Sequence, residues 1–112
     1  MRKDDQVYLG HRLDMAQKAL VLVKNKQRGD YDSDEALRLA LAHLLQIIGE
    51  AASHVSKECR DSMPQLPWNA VIGMRHKVVH DYMDVNEDVV WGTVTQDLPS
   101  LIDKLKKIVF PA

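Results

Sequence analysis

The chain has 112 residues, an apolar fraction of 46%, a charged fraction of 28% and a net charge of −1. That length suits a single domain spanning 1–112, able to bury roughly two-thirds of its surface without disulfide or metal staples. The composition excludes intrinsic disorder, and the near-neutral charge excludes broad coating of nucleic acid, which needs many phosphate contacts, though not a local basic cleft.

Cys59 is the only cysteine. It cannot form an internal disulfide, which favours a reducing compartment, and a cytoplasmic location is expected. The stretch "MRKDDQVYLGHR" is charged and lacks the apolar run of a signal peptide. The longest apolar tract, "LALAHLLQIIGEAA", is interrupted by His43, Gln46 and Glu50, so no membrane span is expected.

The pattern is helical almost throughout. Leu9, Leu13, Ala16, Leu20 and Val23 recur at spacings of three and four, one apolar helix face. "RGDYDSD" ends this first helix, with Gly29 as the expected C-cap. Asp32 or Ser33 is expected to cap the next helix, with Glu35 in capping-box position. That second helix is expected to run from about Asp34 to Arg60. Its stripe is Leu37, Leu41, Leu44, Ile48, Ala51 and Val55, and Leu45 and Ala52 widen it, which suggests contact on two sides and a second subunit. "SMPQLPW" reads as a loop, and Pro67 fits the first turn of a third helix carrying Trp68, Val71, Ile72, Val78 and Val79. The pattern loosens from Asp81 to Asn86. Asn86 is expected to cap a fourth helix, with Glu87 and Asp88 at its positive end and Val89, Val90, Val94 and Leu98 on its apolar side. Pro99 either kinks that helix or starts another, and Leu101, Ile102, Leu105, Ile108 and Val109 carry the spacing onward. Only β-branched "VVWGTVT" competes as a strand. The expected fold is an all-α up-and-down bundle of four to five helices, its first two forming an antiparallel hairpin.

"MRHKVVHDYM", residues 74–83, concentrates the chemistry. A histidine moves protons near neutral pH, and an arginine holds a phosphate. In a straight helix Arg75 and His80 would lie about 140° apart and could not converge on one group. The conflict eases if the helix ends near His80, or if two copies of the segment meet across a dimer axis. Read as residues alone, the cluster is first a solvated helix face with a structural His80, and function is the minority reading. His76 and His80 also have the i, i+4 spacing of two zinc ligands, but Lys77 stands where H-E-x-x-H requires glutamate. No metal is expected, and Cys59 has no identifiable partner to activate it as a nucleophile.

The spacing R-x4-H-x-Y, here Arg75, His80 and Tyr82, resembles the motif of HepT-like toxins of the HEPN superfamily. "IIGEAASHVS", "PQLPWNAVIGMRHKVVHDY", "VVW" and "DLPSL" share the likeness, which covers most of the chain and is weakest in the first helix. The resemblance implies a homodimeric, HEPN-like helical bundle acting as a metal-independent endoribonuclease on tRNA or mRNA, without a cofactor, the motifs of two subunits facing one cleft. It further implies a toxin–antitoxin pair in which a minimal nucleotidyltransferase (MNT) attaches AMP to the motif tyrosine. The two proteins could form a higher hetero-oligomer. On this reading Arg75 and His80 are catalytic, and Tyr82 is the AMP acceptor and lines the cleft. His76 replaces an asparagine frequent in the family and is a possible accessory, adding a proton-transfer group or a hydrogen bond. The residue chemistry fits: His80 as general base on a ribose 2′-OH and Arg75 stabilising charge on the phosphate lead to 2′,3′-cyclic phosphate and 5′-OH ends. The rival from another class is a non-catalytic helical module that binds nucleotides or partners a nucleotidyltransferase, a reading that the missing global basic field favours and the joint presence of the three motif residues disfavours.

Overall fold

The computed structural model describes residues 3–69, 71–73, 79–81 and 84–109, with 79–81 and 84–85 described by their backbone. The fold is all-α, with one short antiparallel ribbon. In chain order it comprises α1 (Lys3–Val23), α2 (Arg28–Asp32), α3 (Glu35–His54), α4 (Lys57–Ser62), α5 (helical at 68–69 and 71–73), β1 (Val79–Asp81), β2 (Asp84–Val85), α6 (Glu87–Gly92), a π-helical turn (Thr93–Asp97) and α7 (Leu98–Val109).

The expected α1–α3 hairpin forms and supplies the most extensive helix–helix contact. Its antiparallel sense is fixed at one end, where Tyr8 stacks on His54 at 5.1 Å. Leu9, Leu13, Ala16 and Ala19 share a buried core with Leu41, Leu45, Ile48 and Ala52. The alanines let the two backbones approach closely, and α7 closes the core with Leu98, Leu101 and Leu105. Truncating one such leucine to alanine typically costs about 2–5 kcal/mol.

The connection between α1 and α3 departs from expectation. The left-handed residue that ends α1 is Asn25, at φ 61°, and not Gly29, which lies inside α2. Asparagine tolerates that region because its short side chain meets little steric conflict there. The cap of α3 is Asp34 rather than Asp32 or Ser33: its carboxylate accepts the Leu37 N–H at 3.1 Å. Asp30, in turn, accepts the Gln27 N–H at 2.8 Å. Thus "RGDYDSD" is a short helix that inserts a fully buried Tyr31 beside Trp91 of α6. Burial, and then the Glu87 carboxylate, push the Tyr31 phenol well above its usual range.

The second expected helix also stops early, at His54 instead of Arg60. Val55 is extended (φ −69°, ψ 136°) and Ser56 caps α4 by accepting the Cys59 N–H at 3.2 Å. The break is held from a distance. Asp5, buried near the start of α1, accepts the Ser56 N–H and the Ser56 hydroxyl, each at 2.8 Å. Val55 and Cys59 stay buried across the break, so the apolar stripe runs on where the helix does not.

Pro67 stands at the start of α5, where its carbonyl accepts the Val71 N–H at 3.0 Å. Asn86 caps α6 as expected, accepting the Val89 N–H at 3.2 Å. Pro99 is the second residue of α7, which follows α6 and the π-helical turn with no break in the helical residues from Glu87 to Val109. Ahead of it the helix widens into a π turn, with the Leu98 N–H bonded to the Thr93 carbonyl five residues back. The wider turn accommodates a residue that would otherwise clash with the carbonyl four positions before it. "VVWGTVT" is therefore helical despite its β-branched content.

Asp5→Ala removes both acceptor oxygens and leaves two partly buried donors at the α3–α4 break. The expected loss is about 1–3 kcal/mol in urea unfolding; an unchanged midpoint and slope would show that the break holds itself.

Candidate functional site

The motif segment hangs between two anchored elements. Upstream, α5 is fixed by Trp68, whose indole N–H donates to the Met63 carbonyl at 2.9 Å, and by the buried Val71. Downstream, α6 is fixed by Val90 in the core and by Arg28, whose Nη1 lies 2.8 Å from Asp88. Arg38 adds Glu87 at 3.9 Å while donating to the Tyr31 and Asp32 carbonyls.

Of the sequence-predicted site residues, Arg75, His76 and Tyr82 lie outside the described residues, as does Lys77. His80 is placed by its backbone on β1, which pairs antiparallel with β2 in the register Val79↔Val85 and Asp81↔Asp84. The helix has therefore given way before Val79. The divergence between Arg75 and His80, computed for one straight helix, does not apply, because His80 stands on extended chain. For the same reason His76 and His80 are not an i, i+4 pair on one helix, and the spacing that suggested zinc loses its geometric basis.

Cys59 is buried, and burial followed by Asp5 pushes its thiol up. A thiol so placed is a poor source of thiolate, which bears against a nucleophilic role. Among the described residues no group of three or more His, Cys, Asp or Glu side chains could hold a metal ion. No described helix is long and apolar enough to cross a membrane.

Sequence reading missed a basic groove between α4 and the start of α5. It has a volume of about 440 Å³ and is lined by Lys57, Arg60, Asp61, Pro64, Trp68 and Asn69. Beneath it, Arg12 is fully buried, with its guanidinium carbon 4.8 Å from the centre of the Trp68 ring. None of its three side-chain nitrogens finds a hydrogen-bond partner among the described residues. Desolvation pulls its pKa down to about 10, so it remains charged at neutral pH. The signal was present in the sequence: Arg12 falls three after Leu9 and four before Ala16, on the apolar face of α1.

A family model described as "Ribonuclease HepT-like" matches residues 13–108, a span that includes the whole segment from Arg75 to Tyr82. Relatives agree. "Putative RNase TTE0752" of Caldanaerobacter subterraneus subsp. tengcongensis is 34% identical over 96% of both chains. "Probable ribonuclease HepT" of Thermococcus cleftensis is 35% identical over 70% of this chain and 72% of its own. "Putative RNase MJ1216" of Methanocaldococcus jannaschii is 27% identical over 96% of this chain and 89% of its own. No solved structure gives a significant match. A family match across most of the helical core, the motif segment within it and two relatives above 30% identity together establish that the chain belongs to the HepT-like ribonuclease family of the HEPN superfamily.

Proposed function

We propose that the protein is a metal-independent endoribonuclease whose cleft is built around Arg75 and His80, and that it is the toxin of a toxin–antitoxin pair. The observation that carries the reading is the family match over 13–108, which contains R-x4-H-x-Y intact. His80 takes the proton from a ribose 2′-OH as that oxygen attacks the adjacent phosphorus. Arg75 offsets the negative charge that builds on the phosphate oxygens. The bond from phosphorus to the 5′ oxygen breaks, and a second His80, from the partner copy, donates the proton that makes it a 5′-OH. The other product end is a 2′,3′-cyclic phosphate. His76 is a candidate hydrogen-bond donor beside Arg75.

Self-association is part of the proposal, because one copy supplies one His80 and the proposed reaction uses that histidine both as base and as acid. A groove between α1 and α3 lined by Val21, Leu22, Ala40 and Leu44, with Val21 72% exposed and nearby Leu39 63% exposed, supports an association surface on this hairpin.

Tyr82 is assigned as the AMP acceptor for a minimal nucleotidyltransferase. Transfer joins the tyrosine oxygen to the α-phosphorus of ATP and releases pyrophosphate. The adduct brings negative charge and bulk to the place where RNA phosphates would enter, so repulsion and occlusion act together.

His80→Ala should lower RNA cleavage by about 10²–10⁴-fold, with end-group analysis of wild-type products showing cyclic phosphates; full activity in the variant would sink the assignment. Incubation with the cognate nucleotidyltransferase and ATP should add AMP to the intact mass, and Tyr82→Phe should abolish the addition; an adduct persisting in that variant would place the acceptor elsewhere. Light scattering should give a dimer mass that falls to monomer in Leu39→Glu; a wild-type monomer that cleaves RNA at full rate would remove the need for two histidines.

A further inference from the structure

The described arginines divide into two kinds. Arg28 and Arg38 are paired with carboxylates at Asp32, Asp88 and Glu87. Arg12 and Arg60 have no such partner among the described residues, and Arg60 Nε is buried without a hydrogen bond. Both unpaired guanidinium groups belong to one place. Arg60 lines the α4–α5 groove, and Arg12 lies directly behind its Trp68 wall. Lys57, three residues before Arg60 and so on the same side of α4, adds a third cation with no ion-pair partner among the described residues. Asp61 is the one carboxylate in the lining. Leaving a buried guanidinium without a counter-charge is costly, and walls formed by Pro64 and Trp68 strengthen the field that the cations create. An anion in the groove would offset that cost. Arg60 can meet a phosphate through forked N–H groups, Lys57 as a mobile point charge, and Asn69 offers an amide to a sugar hydroxyl.

We propose that the α4–α5 groove is a phosphate subsite for the RNA strand, with Lys57 and Arg60 holding a backbone phosphate upstream or downstream of the cleaved one and Arg12 reinforcing the field from below. The proposal rests on the ribonuclease reading for its ligand. Its position suits the task, because α5 starts at the groove wall with Trp68 and the chain reaches Arg75 two residues beyond the described end of α5. A local site of this kind also answers how a chain of net charge −1 engages a polyanion.

The test is the double variant Lys57→Ala/Arg60→Ala, assayed with a single-stranded RNA at several salt concentrations. KM should rise by about tenfold or more with kcat little changed, and the salt slope of RNA affinity, read in a His80→Ala background, should fall by about 0.7 for each lost contact. Lys57→Arg alone should retain most of the wild-type affinity. Unchanged KM and slope, in a variant with wild-type unfolding, would overturn the subsite while leaving the ribonuclease reading intact. A wild type that cleaves no RNA would overturn that reading instead, and the salt slope would still decide the groove: a slope lost with Lys57 and Arg60 keeps the phosphate site, and an unchanged slope, or no RNA binding, rejects it.

Discussion

The seam between α1 and α3 is the constraint on which the other elements depend. Two helices of about thirty ångströms, at 1.5 Å per residue, lie antiparallel with leucines interleaved by alanines. Each is too narrow to bury its apolar surface alone, and together they leave a flank that α7 covers. The small elements are then hung on this frame at fixed points. Asp5 reaches from the start of α1 to Ser56 and sets where α3 stops and α4 begins. Tyr31 inserts from α2 and meets Trp91, which ties the far end of the hairpin to α6.

α5 and α6, which flank the motif in sequence, are each anchored in the core, and the described residues between them form the β1–β2 ribbon. His80 stands on β1, so the fixed step of a helix, about 100° per residue, does not set its direction. The same polar groups that look like surface decoration in the sequence do this anchoring. Arg28 and Arg38 bind α2 and α3 to the start of α6, and their carboxylate partners include the two acidic residues that favour that helix end.

Positive charge has opposite meanings in the two halves of the molecule. At the α2–α6 junction every arginine is matched, and the arrangement is structural. At the α4–α5 groove Arg60 and Lys57 face one described carboxylate with Arg12 behind Trp68, and the imbalance is the feature that the fold alone does not account for. Arg12 on Trp68 shows the difference most sharply, because a residue chosen only for packing at that position would be apolar.

Much of this was legible in the residues themselves. The 3.6-residue periodicity of α1, α3 and α7, the Asn86 cap and the Pro67 start followed from local chemistry, and "RHKVVHDY" carried the family resemblance. The misplaced boundaries differ in cause. Asp34 caps α3 by an ordinary local bond to the Leu37 N–H, two residues beyond the first expected cap, whereas the end of α3 is set by Asp5, fifty-one residues from Ser56. An apolar stripe reports what is buried and not whether the backbone stays helical, so Val55 and Cys59 hid the break between α3 and α4. Pro99 could not be decided locally, because a π turn is a response of the whole helix to its packing. Sequence by itself determined the helical class, the antiparallel hairpin and the motif, since these depend on periodicity and residue type. Only the tertiary structure decided that His80 sits on extended chain and that Arg12, Lys57 and Arg60 meet around Trp68, because long-range burial and charge pairing are properties of residues brought together in space.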